Sequence, residues 1–150
     1  MSLLRRALVA DATLTALSAP TFVLLAPQVA ALTGLPVGLV RGAGAFLVVW
    51  CGWFFVVLRH EPPRRRQVGV VLVVNTAWVG AGVALASGAA GGLTAAGVTV
   101  VLLQAVAVAG LTVAQVVGIR AARTPTTTVR LPRRETDRRS TAPEAPAEVS

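Results

Sequence analysis

The sequence predicts an all-α fold: a four-transmembrane-helix bundle followed by a disordered C-terminal tail. Composition is the first observation behind this prediction. Of the 150 residues, 55% are hydrophobic and 13% are charged, and the mean hydropathy is +0.73. Soluble domains carry roughly 25% charged residues, whereas lipid tails solvate an apolar surface directly. The second observation is that the apolar residues fall into four long segments.

Each of the four segments is long enough to cross a bilayer as a helix. The predicted spans cover residues 7–32, 37–58, 68–89 and 93–119. At about 1.5 Å per residue, roughly 20 residues cross a hydrocarbon layer of ~30 Å. Strands are the competing interpretation because valine is abundant. However, the valine-rich runs lack the polar and apolar alternation of a barrel strand, which favours helices.

Positive charge alternates between the connectors. Two arginines precede the first span, four lie in residues 59–67, and two follow the fourth span, whereas residues 33–36 and 90–92 carry no charge. Arginine is enriched in cytoplasmic loops. The pattern therefore predicts a multi-pass protein of the bacterial cytoplasmic membrane, with both termini in the cytoplasm.

A cleaved signal peptide is the alternative for the first span, since a basic segment precedes an apolar run. Asp11 lies early in that run, and no convincing small-x-small cleavage site follows before the turn at residues 34–36. We therefore expect the first span to be retained. The membrane domain then covers residues 1–123.

Residues 124–150 form the predicted tail. They are rich in Thr, Pro, Ala, Arg and Glu and have little apolar periodicity, which is typical of disorder. The net charge of +8 comes from arginine clusters beside the spans. This placement predicts contact with anionic lipids at the cytoplasmic face, by Arg64, Arg65 and Arg66 among others, and no nucleic-acid partner.

The sequence contains no recognisable catalytic or metal-binding motif. Cys51 is the only cysteine and His60 the only histidine, so a single chain forms neither a disulfide nor a zinc site. We therefore predict that the protein is not an enzyme and has no cofactor.

Polar residues inside the spans are the candidate site. From the helical rise, Asp11 and Gln115 lie about 8 Å, and Asn75 about 12 Å, inside the cytoplasmic boundary. Such residues are costly in lipid and normally face the bundle interior. The candidate set is Asp11, Thr15, Asn75, Trp78, Gln104 and Gln115.

Three interpretations of this polar layer are open. The first is a polar pocket or a proton-responsive carboxyl group at Asp11. The second is an interhelical hydrogen-bond clamp of Asp11, Asn75 and Gln115, with each bond contributing roughly 0.6–2 kcal/mol. The third is that Asp11 complements the N-terminal dipole of its helix and pairs with Arg5 or Arg6. The second and third interpretations, in which Asp11 has a structural role, are together favoured over the first.

Two further features concern the membrane surfaces. We expect Arg41, near the outer end of the second span, to extend to the outer headgroups, the alternative being contact with a ligand or lipid phosphate. An interfacial aromatic belt is predicted from Trp50, Trp53, Phe54 and Phe55. Trp78 lies nearer the middle of the membrane, where its indole N–H requires a partner.

Small residues recur at four-residue spacing, a pattern that lets helix backbones approach closely. They predict a compact bundle or a homodimer. The series are Gly38 and Gly42; Gly80, Ala84 and Gly88; and Gly110, Ala114 and Gly118.

The chain resembles a group of small integral membrane proteins of bacteria, common in actinobacteria. The resemblance covers residues 1–123 and lies in Leu4-Arg5-Arg6-Ala7-Leu8 before Asp11-Ala12, in Asn75-Thr76-Ala77-Trp78-Val79, and in Gln104 with Gln115. The architecture is also similar to that of DoxX-like proteins. Because the group has no established activity, the resemblance implies fold and topology only.

The expected function is that of a structural, accessory or scaffold subunit that packs with a second copy or with another membrane protein. The alternative is a small-solute or proton-coupled transport or binding protein that uses the polar layer.

Overall fold

The computed structural model of this protein describes residues 2–89 and 91–122. In these residues the chain is all-helical, which confirms the predicted fold class. The helices are α1 (Leu3–Leu24), α2 (Ala26–Thr33), α3 (Val37–Leu58), α4 (Arg65–Ala86) and α5 (Ala95–Ala121). All except α2 are long and apolar enough to cross a membrane, which indicates a multi-pass membrane protein. The predicted tail, residues 124–150, lies outside the described residues.

The first predicted span is two helices rather than one. α1 ends at Leu24, and α2 begins after Leu25 with Pro27 in its first turn. Proline has no N–H to donate, and inside a continuous helix its ring clashes with the carbonyl group four residues earlier. Pro20 is nevertheless accommodated within α1. The predicted span over residues 7–32 is therefore divided at Leu25.

The long helices are not all packed equally close to one another. Close backbone packing joins α1 to α3, α1 to α5, and α4 to α5. Contact between α3 and α4 depends instead on side chains from a core cluster. Its buried members are Leu8, Trp50, Phe54, Val57, Val68 and Val71.

One end of the bundle carries almost all of the charge in the described residues. Arg5 lies 3.9 Å from the carboxylate of Glu61, which places the start of α1 beside the α3–α4 connector. The end of α5 lies there too, since a Cβ atom added to Gly118 would be 2.7 Å from the backbone nitrogen of Leu4. We call residues 2–6, 59–66 and 120 the basic end.

The opposite end contains the connectors at residues 34–36 and 87–94, and we call it the uncharged end. The Thr94 N–H donates to the carbonyl of Thr33 at 3.0 Å, and the Thr94 hydroxyl donates to the carbonyl of Leu32 at 2.6 Å. These bonds attach the start of α5 to the end of α2. Apart from Arg41, just over one turn into α3, no charged residue lies near this end in the described part of the chain.

The predicted small-residue contacts are only partly inside the bundle. Gly118 sits against α1, as described above. By contrast, a Cβ atom added to Gly38, Gly42, Gly80 or Gly110 would have no heavy atom within 4 Å. These four glycines therefore face outward and do not serve helix packing within one chain.

The predicted aromatic belt is also only partly correct. Trp50 is 8% exposed and Phe54 is 1% exposed, so both belong to the core. Trp53 is half-buried, whereas Phe55 is exposed. Because α3 and α4 do not pack backbone to backbone, large side chains from α3 fill the space between them.

Candidate functional site

The candidate site is built around Asp11, on the inward face of α1. Asp11 and Thr15 are four residues apart and therefore share one side of the helix. Both are buried, with Asp11 only 3% exposed. The apolar residues Leu8 and Ala19 lie on the same buried face. The carboxyl group is thus held inside the bundle, away from lipid.

One carboxylate oxygen of Asp11 accepts two hydrogen bonds from different helices. Asn75 of α4 donates from Nδ2 to Asp11 Oδ2 at 2.5 Å. Gln115 of α5 donates from Nε2 to the same oxygen at 2.7 Å. All three side chains are buried, and Gln115 is 0% exposed. We call this set of Asp11, Asn75 and Gln115 the Asp11 clamp, since it connects α1, α4 and α5.

Pairing between Asp11 and the first arginines does not occur. In the described residues, Arg5 forms an ion pair with Glu61, and no salt bridge involves Asp11 or Arg6. The interpretation in which Arg5 or Arg6 neutralises Asp11 is therefore wrong. The carboxyl group reaches toward the amides of α4 and α5 instead.

Thr15 lies beside the clamp without joining it. Its hydroxyl donates to the backbone carbonyl of Asp11 at 2.9 Å, within α1. Ser18 donates in the same way to the carbonyl of Leu14. Both hydroxyl groups therefore satisfy their hydrogen-bonding needs locally and keep free acceptor lone pairs.

A small polar cavity lies next to the clamp. Its volume is about 30 Å³. A water molecule requires roughly 10–15 Å³ of such volume and two or more polar partners, so the cavity has room for about two. We call it the polar cavity. Its polar lining residues are Asp11, Thr15, Ser18, Asn75, Trp78 and Gln104.

Trp78 and Gln104 line this cavity, away from the hydrogen bonds of the clamp. Neither side chain has a hydrogen-bond partner among the described residues, and both are half-buried. The expected partner for the Trp78 indole N–H is therefore not found there. Trp78 instead stacks on Phe46 of α3, with ring centroids 5.8 Å apart and an angle of 14° between the planes.

Phe46 is a lining residue that the sequence analysis missed. It also stacks on Trp50 at 5.8 Å, and Trp50 stacks on Trp53 at 6.3 Å. These three residues are spaced at i, i+4 and i+7, which places them on one face of a helix. That spacing is a signal from which an aromatic face of α3 is predictable.

A second cavity lies between the polar cavity and the uncharged end. Its volume is about 350 Å³, and every helix contributes to its lining. Trp78 and Gln104 line both cavities. We call it the apolar cavity, because hydrocarbon groups form nearly all of its wall.

The arginines predicted to contact lipid or a ligand do not reach either cavity. Arg41 is exposed, and it lies about 200° around α3 from the cavity-lining residue Ala43. Arg64, Arg65 and Arg66 are exposed at the start of α4. These four side chains are available to the membrane surface.

The described residues contain no group of three or more His, Cys, Asp or Glu side chains that could hold a metal ion. The chemistry available at the site is hydrogen bonding by one carboxyl group, three amides, two hydroxyls and an indole N–H. No family model matches the chain, and neither the curated proteins nor the solved structures give a match. The resemblance to small actinobacterial membrane proteins remains a prediction.

Proposed function

We propose that this chain is a structural or accessory subunit of the bacterial cytoplasmic membrane, which packs against a second copy or another membrane protein. The observation that carries the proposal is the Asp11 clamp, in which a buried carboxylate oxygen accepts from Asn75 and Gln115. Interhelical hydrogen bonds of this kind stabilise membrane bundles by roughly 0.6–2 kcal/mol each. The central polar residues are thus engaged in holding α1, α4 and α5 together.

The charge distribution supports the orientation of this subunit. Seven arginines of the described residues lie at the basic end, and the connectors at the uncharged end have none. By the positive-inside rule, the basic end faces the cytoplasm. Exposed Arg64, Arg65 and Arg66 are then positioned to contact anionic headgroups.

The outer face of α3 supports a contact with a second helix. Gly38, Gly42, Ala45 and Gly52 lie within roughly 80° of one another around the helix. The three glycines have open space where a Cβ atom would lie. Small residues on such a face allow another helix backbone to approach closely, which strengthens van der Waals contact in lipid.

Crosslinking in native membranes tests this proposal. In a chain whose Cys51 is replaced by serine, Gly42→Cys should give a specific crosslink to a second copy or to one stoichiometric partner. Gly42→Leu should abolish that complex, because the added side chain separates the backbones. Gly110→Leu is the matched control on α5, and it should retain the complex. Recovery of monomer alone from the unmutated chain would contradict the proposal.

The polar cavity favours a second candidate function, namely binding or transfer of a proton or a very small solute. The supporting observation is a volume of about 30 Å³ bounded by Asp11, Asn75 and Gln104. Asp11→Asn separates the two candidates. An asparagine carbonyl still accepts from both clamp amides, but it cannot release a proton at physiological pH.

Under the scaffold proposal, cells with Asp11→Asn should behave like cells with the unmutated chain. Under the second candidate, they should lose a solute- or pH-dependent growth phenotype while the bundle stays folded. Asn75→Ala is the companion variant, since it breaks one clamp bond and keeps the carboxyl group. If both variants fold and no such phenotype is lost, the second candidate fails.

A further inference from the structure

The apolar cavity arises from the way residue size changes along α3 and α4. Toward the basic end, Trp50 and Phe54 fill the space between these helices, and the stacked pair of Phe46 and Trp78 follows. Beyond that pair the lining includes small residues, Ala43 on α3 and Ala81 on α4, while the open side of Gly82 is turned toward α5. Since α3 and α4 lack close backbone packing, these small side chains leave a gap of about 350 Å³.

The size of the apolar cavity and the chemistry of its wall restrict what can occupy it. Ligand sites in proteins typically span about 300–1,000 Å³, so a volume of about 350 Å³ lies at the lower end of that range. A single helical turn, ~5.4 Å long and ~10 Å across, fills roughly 400 Å³, so a partner helix does not fit. A stable water molecule needs two to four polar partners, and the hydrocarbon wall of this cavity supplies almost none. A narrow hydrocarbon chain remains as the fitting occupant.

The end of the apolar cavity that adjoins the polar cavity has polar side chains, unlike the rest of its wall. Trp78 and Gln104 lie where the two cavities meet, and neither side chain has a hydrogen-bond partner among the described residues. The indole N–H is a donor, and the carboxamide is both a donor and an acceptor. No charged side chain lines the apolar cavity in the part of the chain that the structure describes. An ionised ligand would therefore be unfavourable there.

We propose that the apolar cavity binds one uncharged, single-chain lipid-soluble molecule, whose hydrocarbon chain fills the space between α3 and α4 and whose terminal hydroxyl or carbonyl group hydrogen-bonds with Gln104 and Trp78. The chain would gain the dispersion contacts that an empty gap lacks. The terminal group would hydrogen-bond with side chains that have no partner among the described residues. This site is independent of the outer face of α3 and goes beyond the scaffold role.

Photocrosslinking of the full chain in phosphatidylcholine vesicles tests the proposal. The probe is a long-chain fatty alcohol that carries a diazirine near the middle of its chain. Label should attach to cavity-lining residues of α3, α4 and α5, as mapped by mass spectrometry. Unlabelled fatty alcohol should compete, and an alkane of equal length should compete about tenfold less well, a difference of about 1.4 kcal/mol.

Two pairs of variants separate the cavity from general exposure to lipid. Ala43→Leu narrows the cavity and should reduce labelling about tenfold, whereas Gly110→Leu, on the outward side of α5, should not change it. Gln104→Leu should remove the preference for alcohol over alkane. Ala81→Leu, at another lining residue on α4, serves if Ala43→Leu does not fold.

The outcome that would overturn the proposal is label spread evenly over outward-facing residues, with equal labelling of the Ala43→Leu and Gly110→Leu chains. Equal competition by alcohol and alkane would refute the assigned role of Gln104 and Trp78. Neither result depends on whether the chain forms a complex, so this test and the Gly42 crosslinking test fail separately.

Discussion

Replacing Gln115 with alanine should destabilise the bundle far more than replacing Gln104, although both glutamines lie on α5. Gln115 is 0% exposed, and its amide donates to Asp11 at 2.7 Å. Gln104 is half-buried and has no hydrogen-bond partner among the described residues. The two variants therefore make the same chemical change in two different hydrogen-bonding environments.

The magnitude follows from what each change removes. Gln115→Ala loses one interhelical hydrogen bond, worth roughly 0.6–2 kcal/mol, and leaves a small packing defect that costs about 1 kcal/mol. It also removes the Gln115 Oε1 atom, which is buried without a partner in the described residues and so offsets part of the loss. We expect the free energy of unfolding to fall by about 1.5–3 kcal/mol for Gln115→Ala and by less than about 0.5 kcal/mol for Gln104→Ala.

Reversible unfolding in mixed detergent micelles, followed by circular dichroism, measures both values. A double-mutant cycle with Asp11→Ala then isolates the bond, with an expected coupling energy of about 0.6–2 kcal/mol between Asp11 and Gln115. Equal costs for the two glutamine variants would refute the reasoning. A Gln115→Ala cost that does not change in the Asp11→Ala background would also refute it.

Three further predictions concern packing and topology. Gly118→Ala should lower the free energy of unfolding by about 1–3 kcal/mol, because the new Cβ would lie 2.7 Å from the backbone of α1. Gly110→Ala is the control, and it should leave the free energy of unfolding unchanged because the space around Gly110 is open. Thr94→Ala should lower the free energy of unfolding by about 1–2 kcal/mol, because the Thr94 hydroxyl caps α5 by accepting from the Gly97 N–H. An unchanged unfolding midpoint would contradict this prediction. In a cysteine-free background, a membrane-impermeant maleimide should label Ser87→Cys in intact cells and His60→Cys only after permeabilisation, and the reverse pattern would contradict the proposed orientation.

Much of the fold follows from composition and helical geometry. Four long apolar segments are sufficient to predict four long helices, because in a bilayer the backbone N–H and C=O groups have few other ways to form hydrogen bonds. Depth along each helix groups Asp11, Asn75 and Gln115 in one layer, and in the structure Asn75 and Gln115 both hydrogen-bond with Asp11. The depth of a residue depends only on the rise of its own helix, so it can be predicted from one sequence.

Other features depend on which helices are neighbours, which one sequence does not reveal. The break at Leu25 had a local signal in Pro27, but Pro20 gives the same signal and α1 continues through it. The burial of Trp50 and Phe54 depends on the wide spacing of α3 and α4. The apolar cavity requires residues from all five helices, and no sequence pattern links them.

The most direct test of the Asp11 clamp is nuclear magnetic resonance of the side-chain amides in lipid bicelles. In the unmutated chain, the Asn75 and Gln115 amide protons should exchange slowly with solvent, since both are buried and bonded to one oxygen. In the Asp11→Ala chain, both sets of resonances should shift together and exchange faster, while those of Gln104 stay in place. Unchanged Asn75 and Gln115 resonances in a folded Asp11→Ala chain would contradict the account.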